Sequence, residues 1–144
     1  MPEILLADDN ASDVYLIREA LREHAVDCVL RVASDGKDVL GIISGASPNA
    51  NAERIDLLIL DLNLPRHDGI EILQRMRESA WMERVPVVVL TSSDSPRDRL
   101  MANELGVTRY LRKPSSLDEF LGLGAVFKEL LGQAKKSVSQ GGSL

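Results

Sequence analysis

Short apolar runs alternate with amphipathic segments along this chain, and the alternation repeats five times. The runs have the length of β-strands, and the uninterrupted run at residues 55–60 is typical of a parallel strand buried on both faces. The predicted strands are residues 4–7, 28–33, 55–60, 85–90 and 108–112. In the segments between and after the strands, apolar residues recur at helical spacing. The predicted helices are residues 10–24 with Ser12 as N-cap, a segment after Gly36, a segment that includes 70–76, residues 96–105 and residues 116–131.

Strands that alternate with helices predict right-handed crossovers and a parallel sheet with helices on both faces. We therefore predict an α/β fold, a flavodoxin-like (βα)5 doubly wound sheet with strand order 2-1-3-4-5. Residues 44–54 are rich in turn-forming residues and are expected to form a surface loop. The domain is expected to cover residues 1–131, and the polar residues 132–144 are expected to form a flexible C-terminal tail.

Composition and charge exclude several classes of protein. The 144 residues are 44% apolar and 27% charged, as expected for one globular domain. The net charge of −5 removes the long-range attraction to phosphate backbones, so nucleic acid is not an expected partner. No apolar run approaches the ~18 residues of a membrane span, and no signal peptide is recognisable. Because the single Cys28 cannot form an internal disulfide, these features together predict a cytoplasmic protein.

Chemically reactive side chains follow the predicted strands at their carboxyl ends, where open α/β sheets bind ligands. They are Asp8 and Asp9 after the first strand, Asp61 after the third, Thr91 at the end of the fourth and Lys113 after the fifth. Two like charges 4 Å apart repel by about 4 kcal/mol at an effective dielectric constant near 20. Three converging carboxylates therefore call for a hard divalent cation, Mg²⁺ first and Mn²⁺ second.

A divalent cation beside a lysine and a hydroxyl suits phosphoryl transfer, in which charge on the phosphoryl oxygens has to be offset. The chain has no Gly-rich phosphate loop, so a nucleotide is not an obvious substrate. An aspartate can itself act as the nucleophile and form an acyl phosphate.

This set of residues, together with the stretch DLNLPRHDGIEIL that begins at Asp61, resembles the receiver domain of two-component response regulators. The resemblance runs from about Ile4 to Leu131. It implies that Asp61 accepts a phosphoryl group from a phosphohistidine of a sensor histidine kinase. It also implies that Asp9 binds Mg²⁺ directly, Asp8 mainly through water, and Asn63 through its backbone carbonyl.

The same resemblance assigns roles to three further residues. Thr91 is expected to bond to a phosphoryl oxygen, Lys113 to pair with the phosphoryl group, and Tyr110 to turn inward as a switch when Thr91 moves. The Lys113–Pro114 bond is expected to be cis. Such a protein is not an enzyme in the usual sense, because it catalyses only its own phosphorylation and dephosphorylation.

The output of the domain is expected to pass to another protein, because few residues follow the last predicted helix. On that helix, Leu117, Phe120, Leu121, Gly124, Phe127 and Leu131 are expected to pack on the sheet. A second stripe, Leu123, Val126 and Leu130, is expected to face outward and to bind a partner or form a homodimer. The stretch KPSSLDEF after the fifth strand further resembles small regulators paired with phytochrome-type kinases.

Two alternative functions remain open at this stage. A haloacid-dehalogenase-type phosphatase also uses an aspartate after a parallel strand, but it needs a second acid where this chain has Asn63. An adaptor with the same fold and no phosphorylation is the other alternative, although it has no need for the acidic set and the lysine.

Overall fold

A computed structural model describes residues 1–44, 55–79 and 82–142 of the chain. Within these ranges, five parallel strands form one sheet in the order β2-β1-β3-β4-β5, as predicted. The strands are β1 (Glu3–Ala7), β2 (Val29–Ala33), β3 (Leu57–Leu60), β4 (Val87–Thr91) and β5 (Arg109–Arg112). Their register aligns Ala7 with both Ala33 and Leu60, so the carboxyl ends of the first three strands lie level at one edge.

Five helices connect and cover the strands: α1 (Ala11–Glu23), α2 (Gly36–Ile43), α3 (Gly69–Glu78), α4 (Pro96–Glu104) and α5 (Leu117–Gly142). The first four begin at side chains that accept a hydrogen bond from the backbone N–H three residues on; these caps are Asn10, Asp35, Asp68 and Ser95. The cap of α1 is Asn10 and not the predicted Ser12, because Asn10 has the extended backbone of a cap while Ser12 already lies inside the helix.

Alternate residues of the central strands feed two apolar layers, one on each face of the sheet. On one face, Leu58 and Leu60 pack with Ile72 and Leu73 of α3. On the other face, strand residues pack with α1 and α5, whose buried members include Ile17 and the aromatic rings of Phe120 and Phe127. This two-sided burial explains the uninterrupted apolar runs of the central strands.

Helix α5 buries Phe120, Gly124 and Phe127, as predicted, but it also buries residues that were predicted to face outward. Leu123 and Leu130 are only 9% and 2% exposed, and they lie in the same apolar layer as Phe120 and Phe127. Val126 packs, partly buried, against that layer. The prediction that 123, 126 and 130 form an outward apolar face is therefore wrong, and the homodimer prediction loses the surface on which it was based. The buried stripe follows the spacing 120, 123, 127, 130, whereas Leu117, predicted to be buried, is 58% exposed.

The last helix also continues past its predicted end. Helix α5 extends through Gly142, where the sequence predicted an end at Leu131 and a polar tail. Gln133, Ala134, Lys135 and Lys136 are good helix formers, which favours a helix beyond Leu131. The domain boundary at residue 131 stays a prediction, and the predicted loop at 44–54 lies, except for residue 44, outside the described residues.

One arginine ties together the loops at the amino ends of β4 and β5. The Arg77 guanidinium, at the end of α3, donates hydrogen bonds to the carbonyls of Leu105 (2.8 Å) and Gly106 (3.0 Å) before β5. It also donates to the carbonyl of Glu83 (2.7 Å), before β4. This anchor lies at the edge of the sheet opposite to the carboxyl ends of the strands.

Candidate functional site

Backbone hydrogen bonds continue past the strand ends and fix where the functional side chains begin. The Asp8 N–H donates to the Ala33 carbonyl (3.1 Å), and the Asp61 N–H donates to the Ala7 carbonyl (2.9 Å). The Lys113 N–H donates to the carbonyl of Thr91 (2.8 Å). Each predicted residue therefore leaves the sheet at the same edge, beside its neighbour from the adjacent strand.

The Lys113 ammonium lies at the centre of the site. Its Nζ is 2.7 Å from Asp61 Oδ2, 3.0 Å from Asp8 Oδ2 and 2.7 Å from Asp13 Oδ2. An ammonium has three N–H donors, so all three are engaged by carboxylates. Because the Lys113 side chain is only 11% exposed, these contacts are poorly screened by solvent.

Both carboxylate oxygens of Asp61 are held in place. Oδ1 accepts hydrogen bonds from the Thr91 hydroxyl (2.9 Å) and from the Asn63 N–H (3.0 Å), while Oδ2 accepts from Lys113. Asp61 is 4% exposed and Thr91 is fully buried. The hydrogen bonds fix the orientation of the carboxylate before any ligand binds.

Burial and charge shift the pKa values of two groups at the site. Burial raises the pKa of the Asp8 carboxyl, and this effect exceeds the opposing hydrogen bonds from the Asn10 N–H and Lys113. Burial alone would lower the pKa of Lys113, but its hydrogen bonds to Asp13, Asp61 and Asp8 raise it well above the usual lysine value. The lysine is therefore a fixed positive charge, and the buried Asp8 carboxylate favours an additional cation nearby.

Three carboxylates offer a donor set for such a cation. One oxygen from each of Asp8, Asp9 and Asp61 lies within 4.8 Å of the other two. Asp8 and Asp61 are buried and Asp9 is exposed, so the group opens to solvent on one side. Oxygen ligands with room for water are what Mg²⁺ and Mn²⁺ prefer, and the residues present fit a hard divalent cation.

Tyr110 lies at the edge of the site and contacts the loop that follows β4. Its hydroxyl donates to the Ser93 carbonyl (3.3 Å), and its ring packs, partly buried, against the apolar layer that includes α3. The Ser93 N–H in turn donates to the Thr91 hydroxyl oxygen (3.2 Å), and the Ser93 hydroxyl donates to Asp98 (2.8 Å). A short chain of contacts therefore connects Asp61 through Thr91 and Ser93 to Tyr110.

The structure differs from the sequence expectations at the site in two respects. No peptide bond among the described residues is cis, so the predicted cis bond before Pro114 is wrong. Lys113 reaches the site with the trans bond, which an X–Pro pair favours by about 0.5–1 kcal/mol. The sequence reasoning also missed Asp13, which contacts Lys113; its place in the first turn of α1, four residues after Asp9, was the signal available.

The comparison with known families agrees with this arrangement. A family model described as the response regulator receiver domain matches residues 4–123. The chain belongs to this family. The match covers β1 except Glu3, all of β2 to β5 and the first turns of α5. The strand order is that of the flavodoxin-like receiver fold.

Among relatives of this receiver domain, the response regulator Rcp1 of Synechocystis is 35% identical over 116 residues, which are 81% of this chain and 79% of Rcp1. The regulatory protein PhoP of Bacillus subtilis is 35% identical over 79% of this chain but only 43% of its own length. The receiver domain therefore spans most of Rcp1 and less than half of PhoP.

Two solved structures are similar throughout the receiver fold. The phosphorylated cyanobacterial phytochrome response regulator RcpA superposes with a TM-score of 0.83 at 33% identity, covering 90% of this chain and 93% of RcpA. The Mn²⁺-bound form of Rcp1 superposes with a TM-score of 0.78 at 32% identity, covering 92% of this chain and 91% of Rcp1. In the described part of this chain, no helix combines the length and apolar character needed to cross a bilayer.

Proposed function

We propose that this receiver domain accepts a phosphoryl group on Asp61 and uses Mg²⁺ to do so. The observation that carries the proposal is the Asp61 carboxylate itself. It is buried, held by Thr91 and the Asn63 N–H on one oxygen and by Lys113 on the other, and adjacent to two further carboxylates. A buried carboxylate so oriented, with a cation and a hydroxyl donor beside it, is suited to in-line attack on phosphorus.

In the proposed reaction, one Asp61 oxygen forms a bond to phosphorus while the P–N bond of a donor phosphohistidine breaks. The electron pair of that bond stays on the imidazole nitrogen, which takes up a proton. Lys113 and the Thr91 hydroxyl pair with phosphoryl oxygens in place of the Asp61 oxygens that they now contact. Attack of water on the acyl phosphate later releases inorganic phosphate and restores Asp61.

Asp8, Asp9 and Asp61, with the backbone carbonyl of Asn63, are the residues that would hold Mg²⁺. When bound, the cation offsets negative charge on the phosphoryl oxygens. Mn²⁺ is an alternative occupant, a choice supported by the similarity of this chain to the Mn²⁺-bound form of Rcp1. Burial raises the pKa of Asp8, and a bound cation would favour the ionised form of this carboxyl.

The proposed signal is a change of surface that starts at Thr91. A phosphoryl group adds about two negative charges and new hydrogen-bond acceptors. If the Thr91 hydroxyl turns to the phosphoryl group, its contact with the Ser93 N–H changes, and Ser93 is the residue that Tyr110 contacts. Tyr110 and the loop after β4 would then adopt a second arrangement that a downstream protein recognises.

We propose that the phosphoryl donor is a sensor histidine kinase, as the receiver family implies, and that the kinase is of the phytochrome type. Support for the latter comes from RcpA, a phytochrome response regulator whose length is almost fully covered by this chain. The same coverage supports a single-domain regulator that passes its signal to a separate protein or a phosphotransfer protein. The proposed place of action is the cytoplasm, as the sequence predicts.

The proposal is tested by incubating the protein with acetyl phosphate and Mg²⁺ and then measuring the intact mass. We expect the wild-type chain to gain one phosphoryl group, to gain none without a divalent cation, and to gain none after Asp61→Asn. Asp27→Asn is the matched control, because Asp27 is an exposed carboxylate that precedes β2 at the opposite edge of the sheet.

Two results would support one of the alternative functions, an unphosphorylated adaptor or a phosphatase, instead of the proposed one. Wild-type protein that gains no phosphoryl group at any Mg²⁺ concentration would favour an unphosphorylated adaptor. Release of many equivalents of phosphate from an external phosphate ester would favour a phosphatase.

A further inference from the structure

We propose that Asp13 is a positioning residue that holds Lys113 in reach of the phosphoryl group throughout the phosphorylation cycle. This inference rests on the proposed function of Asp61. The observation behind it is the 2.7 Å contact between Asp13 Oδ2 and Lys113 Nζ, which links the first turn of α1 to the end of β5 across 100 residues of chain.

Asp13 does not have the usual role of an acidic residue in the first turn of a helix. Asp13 is the third residue of α1, from which an acidic side chain often reaches back to the backbone N–H of the N-cap residue. That N–H, on Asn10, instead donates to Asp8 Oδ1 at 2.9 Å. Asn10 still caps the helix through its own side chain, which accepts from the Asp13 N–H at 3.0 Å. The Asp13 carboxylate is therefore not needed to cap the helix, and it bonds to Lys113 instead.

Asp13 differs from the two other partners of Lys113 in what happens to it during the proposed reaction. Asp61 becomes an acyl phosphate, and Asp8 belongs to the group of carboxylates that fits a divalent cation. Both contacts with Lys113 are therefore altered when the cation and the phosphoryl group are present. Asp13 lies outside that group of carboxylates, so its hydrogen bond to Lys113 can persist in every state.

The position of Asp13 also suits an anchor. Its side chain is 19% exposed, compared with 1% for Asp8 and 5% for Asp61, so it approaches Lys113 from the solvent side of the site. Lys113 is thus held between a helix end and the phosphoacceptor. A lysine has four rotatable side-chain bonds, and without the outer contact its ammonium gains freedom to leave the site.

The alternative to positioning is simple repulsion, and the two make opposite predictions. Asp13 is a fourth negative charge close to the point where an anionic phosphoryl donor must approach. If repulsion were its main effect, removal of the charge would speed phosphorylation and tighten cation binding. If Asp13 positions Lys113, removal of the carboxylate slows phosphorylation and leaves the cation requirement unchanged.

The test measures the rate of phosphorylation by acetyl phosphate at a series of Mg²⁺ concentrations. We expect Asp13→Ala to lower the maximal rate about tenfold, the loss typical of one charge-assisted hydrogen bond, with the same Mg²⁺ concentration at half-maximal rate. Asp13→Asn retains an acceptor oxygen of the same reach and is expected to recover part of the rate. Glu19→Gln, which removes one charge from α1 without touching Lys113, is the matched control.

A second measurement does not depend on phosphorylation. In the unphosphorylated protein, nitrogen-15 NMR of lysine side chains is expected to show a protected Lys113 ammonium signal that persists in Asp61→Asn and is lost in Asp13→Ala. If wild-type protein is not phosphorylated but this signal behaves as stated, the proposed function fails and the anchoring of Lys113 stands.

Other outcomes overturn the inference. An Asp13→Ala protein that is phosphorylated faster than wild type, or at an equal rate, would show that Asp13 does not position Lys113. The same holds if the ammonium signal survives in Asp13→Ala, or if Asp13→Asn is no better than Asp13→Ala at a temperature where both variants are fully folded.

Discussion

Tyr110 shows how much the surroundings of a single side chain fix its chemistry. Burial raises the pKa of its hydroxyl above the ordinary tyrosine value, and the nearby Asp98 carboxylate acts in the same direction against the hydrogen bond with Ser93. The guanidinium of Arg99 lies 5.4 Å from the centre of the ring. The side chain is therefore held between α4 and the loop after β4, where the proposed change at Thr91 would arrive first.

A pH titration tests this environment. We expect the difference in tyrosinate absorbance between wild type and Tyr110→Phe to rise with a midpoint above the ordinary tyrosine pKa of 10.0. Because the folded-state pKa is the higher one, the contribution of Tyr110 to the free energy of unfolding is present below the unfolded-state pKa and is lost as pH rises through the folded-state value. A midpoint at or below the ordinary value would contradict the observed burial.

The sequence predicted the positions of Asp8, Asp61, Thr91 and Lys113 because each lies at or directly after the carboxyl end of a parallel strand, and these ends meet at one edge. The structure places them as close together as predicted. Asp13 was not predictable in the same way. Its contact with Lys113 depends on how the first turn of α1 sits against the end of β5, and no periodicity encodes that relation.

At the scale of elements, α1 and α5 approach each other unusually closely at one glycine. A Cβ added at Gly124 would overlap the Ala20 carbonyl oxygen and would lie 2.5 Å from a carbon of the His24 ring. The Lys128 ammonium, one turn further along α5, donates to the His24 carbonyl at the end of α1 (3.2 Å). The absence of a side chain at Gly124 therefore sets the spacing of this helix pair.

Two glycines on α5 form a matched pair for measurement. We expect Gly124→Ala to lower the free energy of unfolding by about 1–3 kcal/mol, because overpacking moves α5 away from α1. A Cβ added at Gly122 has no neighbour within 4 Å. Gly122→Ala is therefore expected to raise the free energy of unfolding by about 0.5–1 kcal/mol, because alanine favours the helix more than glycine does. Urea unfolding followed by circular dichroism checks both; equal effects of the two substitutions would contradict the close approach.

The elements also show where sequence patterns lose information. Strand order followed from the alternation of strand and helix, because few topologies satisfy right-handed crossovers. The buried face of α5 followed only in part. Phe120 and Phe127 are buried as predicted, but apolar residues lie on both sides of the helix, and its period alone does not select one side. Contact with α1 and the sheet selects the stripe that contains Leu123 and Leu130.

On the scale of the whole molecule, negative charge is concentrated at one end of the sheet. Four carboxylates, those of Asp8, Asp9, Asp13 and Asp61, lie around the single ammonium of Lys113. Such a concentration opposes the compact state through repulsion, within a chain whose net charge is already −5. A divalent cation that binds only the folded protein would relieve this repulsion and would couple binding to stability.

Thermal unfolding at increasing Mg²⁺ or Mn²⁺ concentration measures this coupling. We expect about 2.7 kcal/mol of stabilisation when the cation is present at 100 times its dissociation constant, with a matching rise of the melting temperature. Asp9→Asn removes one proposed ligand and should weaken this stabilisation, whereas Asp27→Asn, at the other edge of the sheet, should leave it unchanged. A melting temperature that does not change with cation concentration would contradict the proposed metal site.

The guanidinium of Arg77 anchors the end of the sheet at which β4 and β5 begin. It donates hydrogen bonds to carbonyls that precede β4 and to carbonyls that precede β5. These bonds oppose sliding of the two strands past each other at that end. A planar fork that reaches three carbonyls has no substitute in lysine, whose ammonium is a compact point charge. Under the proposed mechanism, a rearrangement that begins at Thr91 would therefore be confined to the part of the sheet beyond this anchor. The loop after β4 and helix α4 would move, while the amino ends of β4 and β5 would stay in place.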